Sequence, residues 1–174
     1  MRPVLRLATR EDSATCWHIF QRAVHEGAAA HYSDAQRQAW APEPTEPPWI
    51  ADRLAEGQTW IADVAASPER AGTGAARPSG FLTAEGLGGD GDALLDLFFV
   101  LPEARRTGVA DALYRAFADA AAAAGQGGRM TAHASLLLRP FLARRGWQVI
   151  EEEWVERGGV MLNRFRMEGP GAER

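Results

Sequence analysis

The chain has a single cysteine, Cys16, so no disulfide can close within it and no cysteine-based metal cluster can form. That scarcity fits a reducing compartment. No apolar stretch approaches a membrane span, and the opening residues MRPVLRLATRED lack the apolar core of a secretory signal. A soluble cytoplasmic protein is the expectation. Positive charge is not in excess: the formal net charge is −4 and the pI about 5.6, which counts against nucleic acid or an anionic membrane as partner. Internal repeats and linker-like composition are also missing, so residues 1–174 read as one domain. At 46% hydrophobic and 24% charged residues, the composition is that of a globular protein with a substantial core.

What is present has two periods. PVLRLAT alternates as a first strand, and Thr9 with Asp12 resembles a capping box ahead of a helix carrying Trp17, Phe20 and Val24 to about Glu26. HYSDAQRQAW predicts a second helix capped by Ser33. APEPTEPP is a proline-rich connection, and PWIADRLAEG predicts a third helix from Pro48 to Gly57. The period then shortens. QTWIADVA, GFLTAEG and ALLDLFFV read as strands, with ASPERAGTGAARPSG as a polar loop and LGGDGD as a turn. A long helix follows, ended by GQGG. RMTAHAS predicts a short strand, LLRPFLARRGW a helix with Pro140 in its first turn or so, and WQVIEEEWVERGGVMLNRFRME a hairpin turning at RGG. Strands in a row, one crossover helix and a closing hairpin predict an α+β fold with a mixed, largely antiparallel sheet.

One junction stands out. The strand ending in Phe98, Phe99, Val100 and Leu101 leads into RRTGVA, residues 105–110, at the mouth of the long helix. A helix start leaves its first N–H groups unpaired and carries partial positive charge. Those donors satisfy a pyrophosphate where the backbone can approach closely, which asks for Gly108 and the small Ala110. Arg105 and Arg106 add charge, and Thr107 offers a hydroxyl. An ordinary turn with surface arginines is the plainer reading of the hexapeptide alone. The segment is not a Walker loop, because no Gly-Lys-Ser/Thr follows, nor a dinucleotide fingerprint, because arginine replaces the first glycine.

With strand before and helix after, RRTGVA fits the pattern Arg/Gln-x-x-Gly-x-Gly/Ala, and the chain resembles the GNAT family of N-acetyltransferases. LRLATREDSATCWHIF is similar to the family's opening strand and helix, and ASLLLRPFLARRGWQVI to its late helix and following strand. The resemblance covers nearly the whole chain. It implies a GNAT-type sheet with helices on both faces and acetyl-CoA as co-substrate without a metal. It also implies direct transfer to an amine in a ternary complex. Phe98, Phe99, Val100, Leu101, Arg105, Arg106, Thr107, Gly108, Val109, Ala110 and Ser135 are then the expected cofactor contacts. The acceptor would be a small-molecule or peptide amine, and a homodimer is compatible because many relatives dimerise. A catalytically silent acyl-CoA-binding or sensing module is the alternative. Acylation of charged tRNA is disfavoured by the acidic pI.

Removing a proton from the amine needs a base. Asp96, the one ionisable residue in LLDLFFV, alternates onto the face of Phe98 and Val100, and apolar neighbours would raise its pKa. A capping or sheet-edge carboxylate is the plainer role. His133 on the next strand is the second candidate base, with a structural role as its alternative. Cys16 reads as a buried small side chain rather than a nucleophile. The family's usual thiolate-protonating tyrosine aligns with Leu142, and Ser135 stands where asparagine is common. That leaves water, unassisted departure, Tyr114 or Tyr32. His31, Tyr32, Trp40 and Trp49 are the expected acceptor contacts, as packing of the tryptophans is their competing role, and Glu43 and Glu46 would favour a cation. His25 reads as surface or acceptor-site, and His18 as surface.

Overall fold

The structure, a computed structural model, describes residues 3–42, 45–64, 76–89, 91–124 and 129–170. In chain order it contains β1 (Val4–Leu7), α1 (Ser13–His25), α2 (Asp34–Trp40), α3 (Pro48–Glu56), β2 (Gln58–Val64), β3 (Arg77–Glu85) and β4 (Ala93–Val100). After these come α4 (Val109–Ala123), β5 (Met130–Ala134), α5 (Leu138–Ala143), β6 (Gln148–Arg157) and β7 (Val160–Glu168). None of the described helices is long and apolar enough to cross a membrane.

Local chemistry explains the helix starts. The Asp12 carboxylate accepts the Thr9 N–H at 2.8 Å and two bonds from Arg6 at 2.7 and 2.9 Å, fixing the entry to α1 through a short 3₁₀ turn. Ser33 and Gln36 cap each other reciprocally at the start of α2. Pro48 opens α3 and Gly57 closes it, as the pattern predicts. Cys16 lies fully buried in α1, and burial pushes its thiol up to about 12.

The strands form one sheet in the order β1-β2-β3-β4-β5-β7-β6. Every neighbouring pair is antiparallel except β4 and β5, which run parallel and are joined by the α4 crossover. Phe98 and Phe99 of β4 face opposite layers. Phe99 packs on Phe20 of α1 at 4.4 Å between ring centroids, and Phe20 in turn meets Trp49 of α3. Phe98 meets Phe141 of α5 at 5.4 Å, and Phe141 meets Tyr114 of α4. Helices therefore cover both faces. Gly80 sets the height of α4 over the sheet, because a Cβ there would lie 2.9 Å from Val109 Cγ1 and 3.0 Å from the Phe99 carbonyl oxygen.

Two boundaries differ from the sequence pattern. β3 begins at Arg77, whereas the polar loop read on to Gly80; most of that loop, residues 66–75, lies outside the described residues. A bulge leaves Ser79 unpaired between Ala62↔Gly80 and Asp63↔Pro78, which lets a proline sit in the strand end. α5 stops at Ala143 rather than running to Trp147. Gly146 takes φ +82° in the closing turn, and Trp147 drops into the core.

Candidate active site

β4 and β5 pair only over Ala93–Leu95 with Met130–Ala132, although they continue to Val100 and Ala134. Beyond Leu95 they part. That edge of β4 then carries backbone donors and acceptors with no strand partner among the described residues, which a ligand can use. Two cavities open on the wedge, and Trp40, Phe98, Phe99, Ser135 and Leu138 line both.

The larger cavity, about 590 Å³, lies between the 105–110 turn and α5. A single 3₁₀ turn at Pro102–Ala104 redirects the chain, Arg106 takes φ +63° and Gly108 φ +90°, and α4 starts at the next residue. A Cβ at Gly108 would meet no protein atom within 4 Å. The space beside its backbone is therefore open to a ligand at the helix mouth, as a pyrophosphate requires. Phe98, Phe99, Val100, Arg105, Arg106, Gly108, Ala110 and Ser135 line this cleft. Leu101 and Val109 are buried in the core instead. The Thr107 hydroxyl donates to the Ala104 carbonyl at 2.6 Å, so its proton tightens the turn. Arg105 donates to the Gly27 carbonyl beyond α1, tying the turn to that helix. His31 is exposed and lies on this cleft, not on the other cavity. Phe141, Arg144 and Arg145 also line it, though sequence pattern did not single them out; the basic pair just before Gly146 was the available signal. Arg145 stacks over the Phe141 ring at 3.5 Å and bonds Asp111 in the first turn of α4.

The second cavity, about 370 Å³, lies on the α1–α3 side and brings Asp96, His133, Tyr32, Trp40 and Trp49 together. Asp96 is not on the face of Phe98, as alternation alone predicts. Thr83 pairs with Leu97 and Ala84 with Leu95, so Asp96 is the extra residue of a bulge. The bulge turns it toward Arg53 of α3, whose Nε lies 3.4 Å from Oδ2. Burial pushes the Asp96 carboxyl up; Arg53 opposes the rise, Glu85 adds to it and His133 opposes it. Oδ2 is buried without a hydrogen-bond partner.

His133 Nδ1 lies 2.9 Å from Glu153 Oε2, which also accepts from Arg164 Nε at 2.7 Å. Burial would raise the Glu153 carboxyl, but these hydrogen bonds prevail and hold it low. A carboxylate can only accept, so the proton belongs on Nδ1 and Nε2 is left to take another. Trp49 is 41% exposed at the rim, and Trp40 packs between Tyr32, Phe20 and Phe99. Glu46 lines neither cavity, and Glu43 lies outside the described residues.

Residues 28–168 match the model of the acetyltransferase (GNAT) domain. The chain belongs to the GNAT family. It is 32% identical over 149 residues to the uncharacterized N-acetyltransferase YafP of Escherichia coli K12, covering 86% of this chain and 83% of that one. The crystal structure of a GCN5-related N-acetyltransferase from Rhodopseudomonas palustris superposes with a TM-score of 0.80 at 27% identity, covering 97% and 96% of the two chains. The PaiA N-acetyltransferase of Thermoplasma acidophilum, solved in complex with coenzyme A, shares the fold at 16% identity and a TM-score of 0.66, over 97% and 99% of the chains. The protein is thus an acyltransferase of the acetyl-CoA-dependent GNAT type.

Leu142 is fully buried and lines neither cavity. Tyr114 also lines neither, and its hydroxyl accepts from Trp147 Nε1 at 2.9 Å. Tyr32 lines the smaller cavity, but its hydroxyl donates to the Asn163 carbonyl at 3.0 Å and accepts the Leu136 N–H at 2.9 Å. Burial raises its pKa, with the Leu136 bond opposing. The hydroxyl standing where both cavities meet is that of Ser135, which accepts the Leu138 N–H at 3.2 Å and keeps its own proton for another acceptor.

Proposed function

We propose that the protein moves an acetyl group from acetyl-CoA to a primary amine of a small molecule or peptide, with the two substrates entering by the two cavities. The observation that carries this is the wedge: the cavities meet where β4 offers unpaired backbone beside the half-buried Asp96 carboxylate. The pyrophosphate belongs on the turn from Arg105 to Ala110, and the amide-rich pantetheine along the free edge of β4 beside Phe141. The acceptor amine belongs in the 370 Å³ cavity.

Acetyl-CoA supplies the thioester, and the chain's own groups do the rest. A carbon–nitrogen bond forms as the carbon–sulfur bond breaks, and the proton lost by the amine passes to the Asp96 carboxylate, directly or through one water. An ammonium has no lone pair to attack with, so this transfer sets the lower limit of useful pH. Free N–H groups of β4 stabilise the developing oxyanion. Ser135 hydrogen-bonds the departing sulfur, and solvent completes its protonation. A reducing cytoplasm suits Cys16, whose thiol stays buried and un-ionised.

Free thiol released from acetyl-CoA, measured against a panel of amines, tests the reading. Asp96→Asn is expected to lower kcat while coenzyme A affinity by calorimetry holds. An Asp96→Asn protein with the parent's pH–rate profile would move the base to His133 or solvent. Leu142 is the one feature favouring a silent cofactor-binding module, and coenzyme binding without thiol release from any amine would select it.

A further inference from the structure

The chain contains no lysine, so every strong cation it can aim at a ligand is an arginine, whose planar fork suits carboxylates and phosphates. Three of them, Arg53, Arg157 and Arg164, line the smaller cavity against a single lining carboxylate, Asp96. Two are answered by protein. Arg53 bonds Glu85 and lies 3.4 Å from Asp96. Arg164 shares the Glu153 oxygen with His133.

Arg157 is different. It stands exposed at the end of β6, opposite Val160, with no ion-pair or hydrogen-bond partner among the described residues. On the same wall Asn163 Oδ1 is buried without a partner, although its Nδ2 donates to Glu152. The cavity thus holds an unanswered guanidinium on the β6–β7 wall and the Asp96 carboxylate, which Arg53 approaches without a hydrogen bond to Oδ2, with Trp40 and Trp49 also in its walls. An acceptor bearing only an amine satisfies Asp96 and leaves Arg157 idle. One bearing an oxyanion as well answers both.

We infer that the acceptor is a primary amine carrying an oxyanion, a carboxylate or a phosphate, held by Arg157 beside Arg164 while its amine lies toward Asp96. This rests on the acetyl-transfer reading of the site.

The test compares matched pairs of acceptors by thiol release: β-alanine with β-alaninamide, phenylalanine with phenylalaninamide, and phosphoethanolamine with ethanolamine. At least one anionic member is expected to exceed its neutral partner at least tenfold in kcat/KM. The carboxylate and phosphate pairs show which oxyanion is used. Arg157→Gln, which removes no hydrogen bond or ion pair among the described residues, is expected to bring that ratio toward one through the acceptor KM. Neutral members that match or exceed the anionic ones overturn the inference, as does a ratio that survives in Arg157→Gln. Protein that binds coenzyme A by calorimetry, yet neither turns over nor binds any anionic member, overturns it too. Failure to bind coenzyme A instead overturns the acetyl-transfer reading beneath it.

Discussion

Arg106 holds a left-handed backbone, φ +63°, in the wall of the larger cavity, where the proposed reading puts the cofactor. That conformation costs an L-residue about 1–2 kcal/mol, and glycine escapes the cost while giving back about 0.5–1 kcal/mol in unfolded-chain entropy. Arg106 has no ion-pair or hydrogen-bond partner among the described residues to offset the strain. Arg106→Gly should therefore stabilise the ligand-free protein by about 0.5–1 kcal/mol, a rise in Tm of about 1–4 °C for a chain of this size. If the pyrophosphate sits on this turn as proposed, the same change removes a charge-assisted contact to it, and coenzyme A affinity should fall about tenfold, less so at high salt. Scanning calorimetry without ligand and titration calorimetry with coenzyme A read the two effects separately. Gly108→Val is the contrast. Its Cβ meets open space, but φ +90° strains any β-branched residue by about 1–2 kcal/mol, and the side chain fills the place proposed for the phosphate. Stability and affinity should then fall together, the affinity at least tenfold. An Arg106→Gly protein that is less stable, or that binds coenzyme A as the parent does, refutes the claim that strain is held here for the ligand.

Arg53 opposes the burial that raises the Asp96 carboxyl, so Arg53→Gln should raise it further and move the acid limb of kcat/KM to higher pH; an unmoved limb assigns the base elsewhere. Trp49 lines only the smaller cavity and Trp40 lines both, so Trp49→Ala should raise the acceptor KM alone and Trp40→Ala both KM values. Steady-state kinetics with each substrate varied in turn separates them. Asp12 is held below its ordinary value, chiefly by Arg6, against the opposing effect of burial. A depressed carboxyl stabilises the fold above its unfolded pKa and loses that contribution as pH falls. Asp12→Asn should cost about 1–2 kcal/mol at neutral pH, and urea melts of parent and variant should converge as pH falls through the acid range.

The order of strands and helices, the helix starts marked by Thr9, Ser33 and Pro48, and the turn from Arg105 to Ala110 were legible along the chain. Each depends on neighbours within a few residues, where periodicity, capping chemistry and glycine's backbone freedom act. The family likeness followed because its signature is local in the same sense. What lay beyond reach depended on pairing between distant segments. The bulge that turns Asp96 away from Phe98 toward Arg53 is set by register against β3. The Thr107 hydroxyl, offered by sequence to a phosphate, is taken by Ala104 once the turn closes. Tyr32 reaches across 131 residues to bond Asn163, and the final hairpin brings Arg157 and Arg164 to a cavity that the chain's first half only partly encloses. Alternation fixes which face a strand residue takes only while its ladder stays regular. Where one inserted residue or a parting of strands breaks the ladder, packing across the sheet decides where each side chain points.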